Sequence, residues 1–328
     1  MGIVPENYVD SHLDSPKKQT SVHGIINVNK PRNITSMDVV RRIKRASCQK
    51  RVGHGGTLDP LATGVIPVCL GQATRMMEYL IEGIKEYRGI LELGVETDTY
   101  DALGKVVARK DATSLTKREV EDVLRSFVGT TNQVPPMYSA LKKQGKRLYE
   151  LARAGVEVER DPRKVKILEA VLERWHPPSA TIRVVCNRGL YMRSLAHDLG
   201  VKLGIGGHLK DLTRLKGGSF TIETASSLES IEQAFTNGTW LGLLHSPDVV
   251  VAHWKAIILN QNLEQLIRQG QSIPSDVRVS TARHGEKARI YSSDGRFVAI
   301  ATFDTYLSQW RPSKVFNLEH IDSSLDNR

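Results

Sequence analysis

The chain has 328 residues, 40% hydrophobic and 25% charged, which is ordinary globular composition with enough length for two cored domains. No apolar run approaches a membrane span, and three widely separated cysteines without CxxC or His/Cys ligand spacing exclude a disulfide framework and a zinc site and fit a reducing, cytoplasmic setting. The net charge of +10 is concentrated: residues 41–51 hold six Lys or Arg and no acid, and residues 139–166 hold nine basic against four acidic residues. This reads as the electrostatic footprint of a polyanion, or as two solvated helix faces.

In chain order, residues 1–22 are polar and lack the apolar segment of a secretory signal, so a disordered tail is expected. Residues 24–29 read as a short strand ending at Lys30-Pro31. Thr35 and Asp38 form a capping box that opens a helix to about residue 45. Val39, Val40 and Ile43 are its apolar side, while Arg41, Arg42 and Lys44 leave it needing an acidic neighbour or an acidic ligand. Residues 53–75, GHGGTLDPLATGVIPVCLGQATR, are the most informative stretch. Its glycines permit close approach of a partner, Pro60 pushes Asp59 out of helical geometry, and residues 65–70 form a buried strand. An isolated Asp-Pro is usually only a turn; a carboxylate on a loop braced by a buried strand is also a good mount for chemistry.

A helix follows at 74–80, a strand at 87–93, and a strand-loop-strand at 95–107 whose acids do not match a calcium loop and read as turn chemistry. Thr116 and Glu119 cap a helix to Phe127. Residues 130–146 look like a long linker with little core-forming content. With Tyr138, Lys142, Lys143, Lys146 and the adjoining Arg147, this segment is either an RNA clamp or a mobile surface loop. Further on come a helix at 147–154, strands at 165–174 and 180–186, and a helix at 195–203. From about residue 249 the pattern becomes β-rich, with a helix at 263–268, a hairpin at 288–303 turning at Asp294-Gly295, and a closing strand at 310–316. There is no repeat of fixed period, and no P-loop, GxGxxG or GxSxG motif.

The 53–75 stretch closely resembles the catalytic motif of the TruB-type tRNA pseudouridine synthases. The resemblance runs from about residue 24 to 220 and includes NVNKP, KEYR, PPMYSALKKQGKRLYELARAG, RGLYMRSLAHDLG and GGHLKDLTRLKGGSF, in the family's order. Gly55 stands where the family usually carries Thr. The resemblance implies that Asp59 is the catalytic aspartate and proposed nucleophile, that Tyr87 packs on the target uracil, and that Arg193 pairs with the aspartate. It also implies that His54 helps hold the flipped-out RNA, that Tyr191 and Leu212 line the base pocket, and that Lys30 and Pro31 support the site. Whether Asp59 attacks the sugar, attacks the base or assists elimination stays open.

The implied architecture is α/β of the α+β type. A pseudouridine synthase domain with a mixed, mainly antiparallel sheet spans 23–248, a small PUA-like RNA-binding β domain spans 249–317, and a tail covers 318–328. The implied activity is conversion of uridine-55 in the T-loop of tRNA to pseudouridine. Isomerisation needs no net redox change, so no cofactor and no metal are expected. Expected partners are the T-arm of tRNA and no membrane. No obligatory protein partner is expected, and the chain is expected to be a monomer. A non-catalytic RNA-binding module and the family's guide-RNA-dependent relatives are the alternatives; the basic segment at 130–154 resembles the stand-alone type.

Overall fold

The computed structural model describes residues 21–143, 145–275 and 282–318. The expected N-terminal tail lies outside these residues except at its end, where Val22 is buried and its N–H donates to Gln49 Oε1 at 3.2 Å. The expected tail at 318–328 also lies outside, apart from Leu318, which packs against the core.

The first half of the chain runs β1 (Gly24–Lys30), α1 (Ser36–Ser47), β2 (Val52–His54), β3 (Thr63–Leu70), a 3-10 turn (Gly71–Met76), α2 (Met77–Glu82), β4 (Lys85–Leu93), β5 (Val95–Thr97), β6 (Val106–Arg109), α3 (Lys117–Arg125), β7 (Gly129–Gln133), β8 (Lys142–Lys143), β9 (Lys146–Arg147) and α4 (Leu148–Arg153). Then follow β10 (Arg163–His176), β11 (Ser179–Cys186), α5 (Met192–Lys202), β12 (Gly207–Gly217), β13 (Phe220–Thr221), β14 (Ser226–Ser227), α6 (Leu228–Asn237) and β15 (Leu244–His245). The last part is β16 (Lys255–Ile258), α7 (Gln261–Arg268), β17 (Ile273–Pro274), β18 (Lys287–Tyr291), β19 (Phe297–Asp304) and β20 (Gln309–Val315).

The expected capping boxes form. Thr35 Oγ1 accepts the Asp38 N–H at 3.1 Å while Asp38 Oδ2 accepts the Thr35 N–H at 2.9 Å, and Thr116 and Glu119 make the same exchange at the start of α3. The main sheet has eleven strands, its path running β14-β1-β3-β12-β4-β11-β10-β7. It is mixed and mainly antiparallel, with β12 parallel to β3 and β14 parallel to β1. A second sheet of five strands, β16-β18-β19-β20-β17, lies in the C-terminal part of the chain. Among the described residues no helix is long and apolar enough to cross a membrane.

Two features differ from the sequence reading. The segment expected to be a linker contributes β7, which pairs antiparallel with β10 at the sheet edge, and a β8–β9 hairpin. Buried Gln133 and Ser139 anchor it where apolar residues are few. The strand β12 has no counterpart in the sequence pattern, because Lys210, Asp211, Arg214 and Lys216 interrupt any apolar alternation. It is nonetheless the strand that joins β3 to β4. At the junction near residue 249, where the pattern becomes β-rich, the two parts of the chain pack together. Val250 and Val251 of the Pro247–Val251 turn are buried in a core that also holds Ile25, Val65 and Leu80 from the first part of the chain and Phe297, Ile300 and Phe316 from the second.

Candidate active site

The loop between β2 and β3 carries Asp59 and is tied down on several sides. Ser36 Oγ donates to Leu58 O at 2.9 Å and accepts the Leu58 N–H at 2.8 Å. The Asn33 N–H donates to Pro60 O at 2.8 Å. Lys30, fully buried, donates through Nζ to Pro31 O (2.9 Å), Ile34 O (2.7 Å) and Pro60 O (3.4 Å). Burial lowers the Lys30 pKa to about 8, with the nearby Asp59 carboxylate opposing that shift. Lys30 and Pro31 thus brace the Asp59-Pro60 turn through the backbone.

Below the loop, Arg214 of β12 is 2% exposed. Its Nε donates to Val65 O at 2.6 Å and its Nη2 to Gly56 O at 3.1 Å. The strands close in here: a Cβ on Gly64, at φ 99°, would lie 2.3 Å from Arg214 O, so only glycine fits. Arg214 also faces Tyr87 in the β12–β4 register. Burial raises the Tyr87 pKa, partly offset by the charge of Arg214 and a hydrogen bond from it. His54 accepts the Gly56 N–H on Nδ1 at 3.3 Å. Burial, and then the Arg214 charge, lower its pKa, which leaves a neutral ring with its proton on Nε2.

The charged centre lies where α5 begins. Arg193 Nε is 2.9 Å from Asp59 Oδ2, the arginine side chain 5% exposed and the aspartate 38%. The Nε makes no aligned hydrogen bond, so this contact is an ion pair off the N–H axis. The Arg193 Nη2 donates to Tyr138 O at 2.7 Å, Nη1 donates to Thr99 O at 3.4 Å, and Asp101 Oδ2 is 3.7 Å from Nε. A buried guanidinium therefore sits between two carboxylates, and only Asp59 of the two reaches solvent. The start of α5 is fixed by Gln133, whose Oε1 accepts the Tyr191 N–H at 2.8 Å and whose Nε2 donates to Tyr191 O at 3.1 Å. Burial raises the Tyr191 pKa. Leu212 is 6% exposed, in the main core one residue before the β12–β3 contact.

The structure brings Asp59, Arg193, Lys30, Pro31, His54, Tyr87, Tyr191 and Leu212 to the junction of β3, β12, β4 and α5. The basic residues read as RNA-backbone contacts lie on other elements. Arg41 and Lys44 are exposed on α1, and Lys142, Lys143, Lys146 and Arg147 are on the β8–β9 hairpin. Arg42 has an acidic neighbour instead of a free face: its Nε and Nη2 donate to Glu232 of α6 at 2.8 and 2.6 Å, and Glu229 lies 3.4 Å away. Two residues escaped the sequence reading. Asp101 was folded into turn chemistry, which it also performs, accepting from Thr99 Oγ1 at 2.7 Å. Arg214 looked like one more cation in a basic chain.

A small helix holds the Asp59 loop from the other side. A Cβ on Gly53 would lie 2.6 Å from Met77 Sδ, and one on Gly55 2.6 Å from Leu80 Cβ, so the α2 side chains fill the room that a residue larger than glycine would need. The opposite face of α2 meets the C-terminal domain. Tyr79 packs edge-on to Trp254 at 5.1 Å, Lys287 lies over both rings at 5.1 and 5.4 Å, and Lys314 pairs with Glu78 at 2.7 Å.

Comparison with known proteins places this geometry. Residues 44–192 match the TruB family pseudouridylate synthase N-terminal domain, and residues 193–243 match the tRNA pseudouridylate synthase B C-terminal domain. A tRNA pseudouridine synthase B of Dehalococcoides mccartyi is 42% identical over 295 residues, covering 90% of this chain and 97% of that protein. One of Moorella thermoacetica is 44% identical over 286 residues, covering 85% and 93%. Among solved structures, an H/ACA ribonucleoprotein bound to a substrate RNA containing 2′-deoxyuridine aligns with a TM-score of 0.69 at 22% identity, over 90% of this chain and 85% of that one; this is a likeness of fold. With identities above 40% over nearly the full length of such relatives, the chain belongs to the TruB family of pseudouridylate synthases.

Proposed function

We propose that this pseudouridylate synthase isomerises uridine-55 in the T-loop of tRNA, with Asp59 as the nucleophile. The observation that carries the reading is the Asp59–Arg193 pair, a partly exposed carboxylate 2.9 Å from a buried guanidinium. The names of the relatives, each a tRNA pseudouridine synthase B, support tRNA as the substrate.

The reaction breaks the C1′–N1 bond, turns the base and rejoins it through C5, so the nucleotide must leave the stack. Its chemistry needs an ionised carboxylate beside the sugar and base in a site that closes over them. Arg193, held by Tyr138 O and Thr99 O, stands beside Asp59 as its counter-charge at 2.9 Å. Tyr87 supplies the ring that packs on the extruded uracil. His54, neutral, offers its Nε2–H to the distorted RNA, and Tyr191 and Leu212 close the pocket. The exposed Arg41, Lys44, Lys142, Lys146 and Arg147 contact phosphates, and the β domain at 249–317 adds RNA-binding surface. The enzyme acts on naked tRNA, as a monomer in the cytoplasm, without cofactor, metal or protein partner.

Single-turnover kinetics on an unmodified T-stem-loop, with binding measured separately, test this. Asp59→Asn keeps the shape and removes the charge; it should bind normally and form no pseudouridine. Arg193→Lys cannot reproduce the contacts to two carbonyls and a carboxylate, and should turn over at least ~100-fold more slowly. Substantial product from Asp59→Asn overturns the mechanism. Tight binding without turnover by the unaltered chain would leave only an RNA-binding module, and product at another uridine would overturn the site.

A further inference from the structure

We propose that Tyr100 and His197 are positioning residues for Arg193, acting as the second half of a two-point grip by which α5 holds the 97–101 turn. This rests on the reading of Arg193 as the partner of the catalytic aspartate.

Both Arg193 contacts other than Asp59 and Tyr138 come from this turn: Thr99 O at 3.4 Å and Asp101 Oδ2 at 3.7 Å. Tyr100 lies between them and has φ 62°, a left-handed conformation that is unfavourable for a bulky side chain. Because Tyr100 is bonded to both neighbours, its backbone setting fixes where the Thr99 carbonyl and the Asp101 carboxylate point. Something must hold it there. On the backbone side, Tyr100 N–H donates to Thr97 O at 3.2 Å and Tyr100 O accepts the Leu209 N–H at 3.0 Å. On the side-chain side, the Tyr100 ring stacks face to face on His197, with centroids 3.9 Å apart and planes 15° from parallel.

His197 is four residues beyond Arg193 on α5, so the two side chains rise from the same face one turn apart. The helix thus touches the turn twice, with the guanidinium at Thr99 and Asp101 and the imidazole on Tyr100. The His197 Nδ1 is buried, makes no hydrogen bond among the described residues, and lies 3.4 Å from Glu96 Oε1. The stack, together with Glu96 at the ring edge, sets the imidazole position. Losing the flat ring frees Tyr100 to relax towards negative φ, which swings Thr99 O and Asp101 away from Arg193. Arg193 then loses its aim at Asp59. Neither ring touches the reacting atoms.

The experiment compares His197→Phe, which keeps a flat ring, with His197→Leu, which keeps bulk without one, and Tyr100→Phe with Tyr100→Leu. Single-turnover rate, tRNA Kd and melting temperature are measured for each, alone and combined with Arg193→Lys. The ring-keeping variants should stay near the unaltered rate. The leucine variants should fold, bind tRNA normally and lose between about tenfold and 100-fold in rate. Because the effect passes through Arg193, His197→Leu should cost much less in the Arg193→Lys background. Equal rates for His197→Leu and His197→Phe, or an undiminished loss in the Arg193→Lys background, would overturn the inference while leaving Arg193 in place. An Arg193→Lys single variant with the unaltered rate would overturn the reading of Arg193 itself, and this inference with it.

Discussion

At the scale of single residues, the site separates its charges by burial. His54 is the clearest case. The Gly56 N–H occupies Nδ1, burial disfavours the imidazolium, and Arg214 adds a like charge. The folded ring therefore takes a proton only below the ordinary value of 6.5, whereas in the unfolded chain it takes one near that value. As pH falls through 6.5 the unfolded state binds the proton first, so His54 removes stability on acidification, fully so once pH is below its folded pKa. An NMR titration should show a midpoint below 6.5 and the Nε2–H tautomer at neutral pH. In His54→Gln, that part of the acid destabilisation should vanish. A midpoint at or above 6.5 would contradict the buried, neutral ring. The role implied for His54 was legible because it sits in a recognisable motif. Its charge state was not, since the group that sets it, Arg214, lies on a strand more than a hundred residues away.

At the scale of elements, α1 shows what a charge pattern reveals and what it hides. Thr35 and Asp38 announce the helix start because a capping box is local chemistry. The sequence also required an acidic neighbour or an acidic ligand for this helix, and another element supplies one for Arg42, through Glu229 and Glu232 of α6, while Arg41 pairs on the exposed face with Asp38 of its own helix. Reversal of Arg41 and Lys44 to Glu should therefore weaken tRNA binding and flatten its salt dependence, each lost phosphate contact removing about 0.7–0.9 from the log–log slope. Arg42→Glu should leave that slope alone and lower the melting temperature by about 2–4 °C, because it sets three carboxylates together. An unchanged slope in the Arg41/Lys44 variant would remove α1 from the RNA surface. The strand β12 shows the reverse limit. Leu209, Leu212 and Arg214 are all buried there, yet its charged residues read as loop, because tertiary partners and not propensity decide its state.

At the scale of the whole molecule, the two sheets share a core. Phe297, Ile300 and Phe316 of the C-terminal part bury Ile25, Val65 and Leu80 of the catalytic part. Removing one large side chain from such a core costs ~3–5 kcal/mol, and a chain ending at Pro247 loses all three together, against a total stability of about 5–15 kcal/mol. That chain should show a sharply lowered or non-cooperative melt, and saturating tRNA should not restore its turnover. Retention of the full maximal rate with only a raised KM would mean that the C-terminal domain contributes binding area and nothing more. The composition change near residue 249 was visible in the sequence. The dependence of one half on the other was not, because it lies in apolar residues that look alike wherever they pack.

The fit of α2 against the Asp59 loop also couples two positions. Leu80 fills the space that a side chain at position 55 would take, and supports the shared core from the same site. The two positions therefore divide one volume. A threonine at 55 meets the whole Leu80 side chain, its Cβ at 2.6 Å included, so it fits only if α2 also shifts, and a smaller residue at 80 leaves a hollow unless 55 grows. Gly55→Thr and Leu80→Ala should each slow the enzyme and lower its melting temperature; because Leu80→Ala removes the Cγ and Cδ1 contacts and keeps the Cβ one, the pair should recover only the smaller part of both losses, a non-additivity readable in a double-mutant cycle. Strict additivity would show that the positions are independent. A change at either position alone leaves the loop crowded or the core hollow, so the grip of α2 on the loop is shared between these two residues.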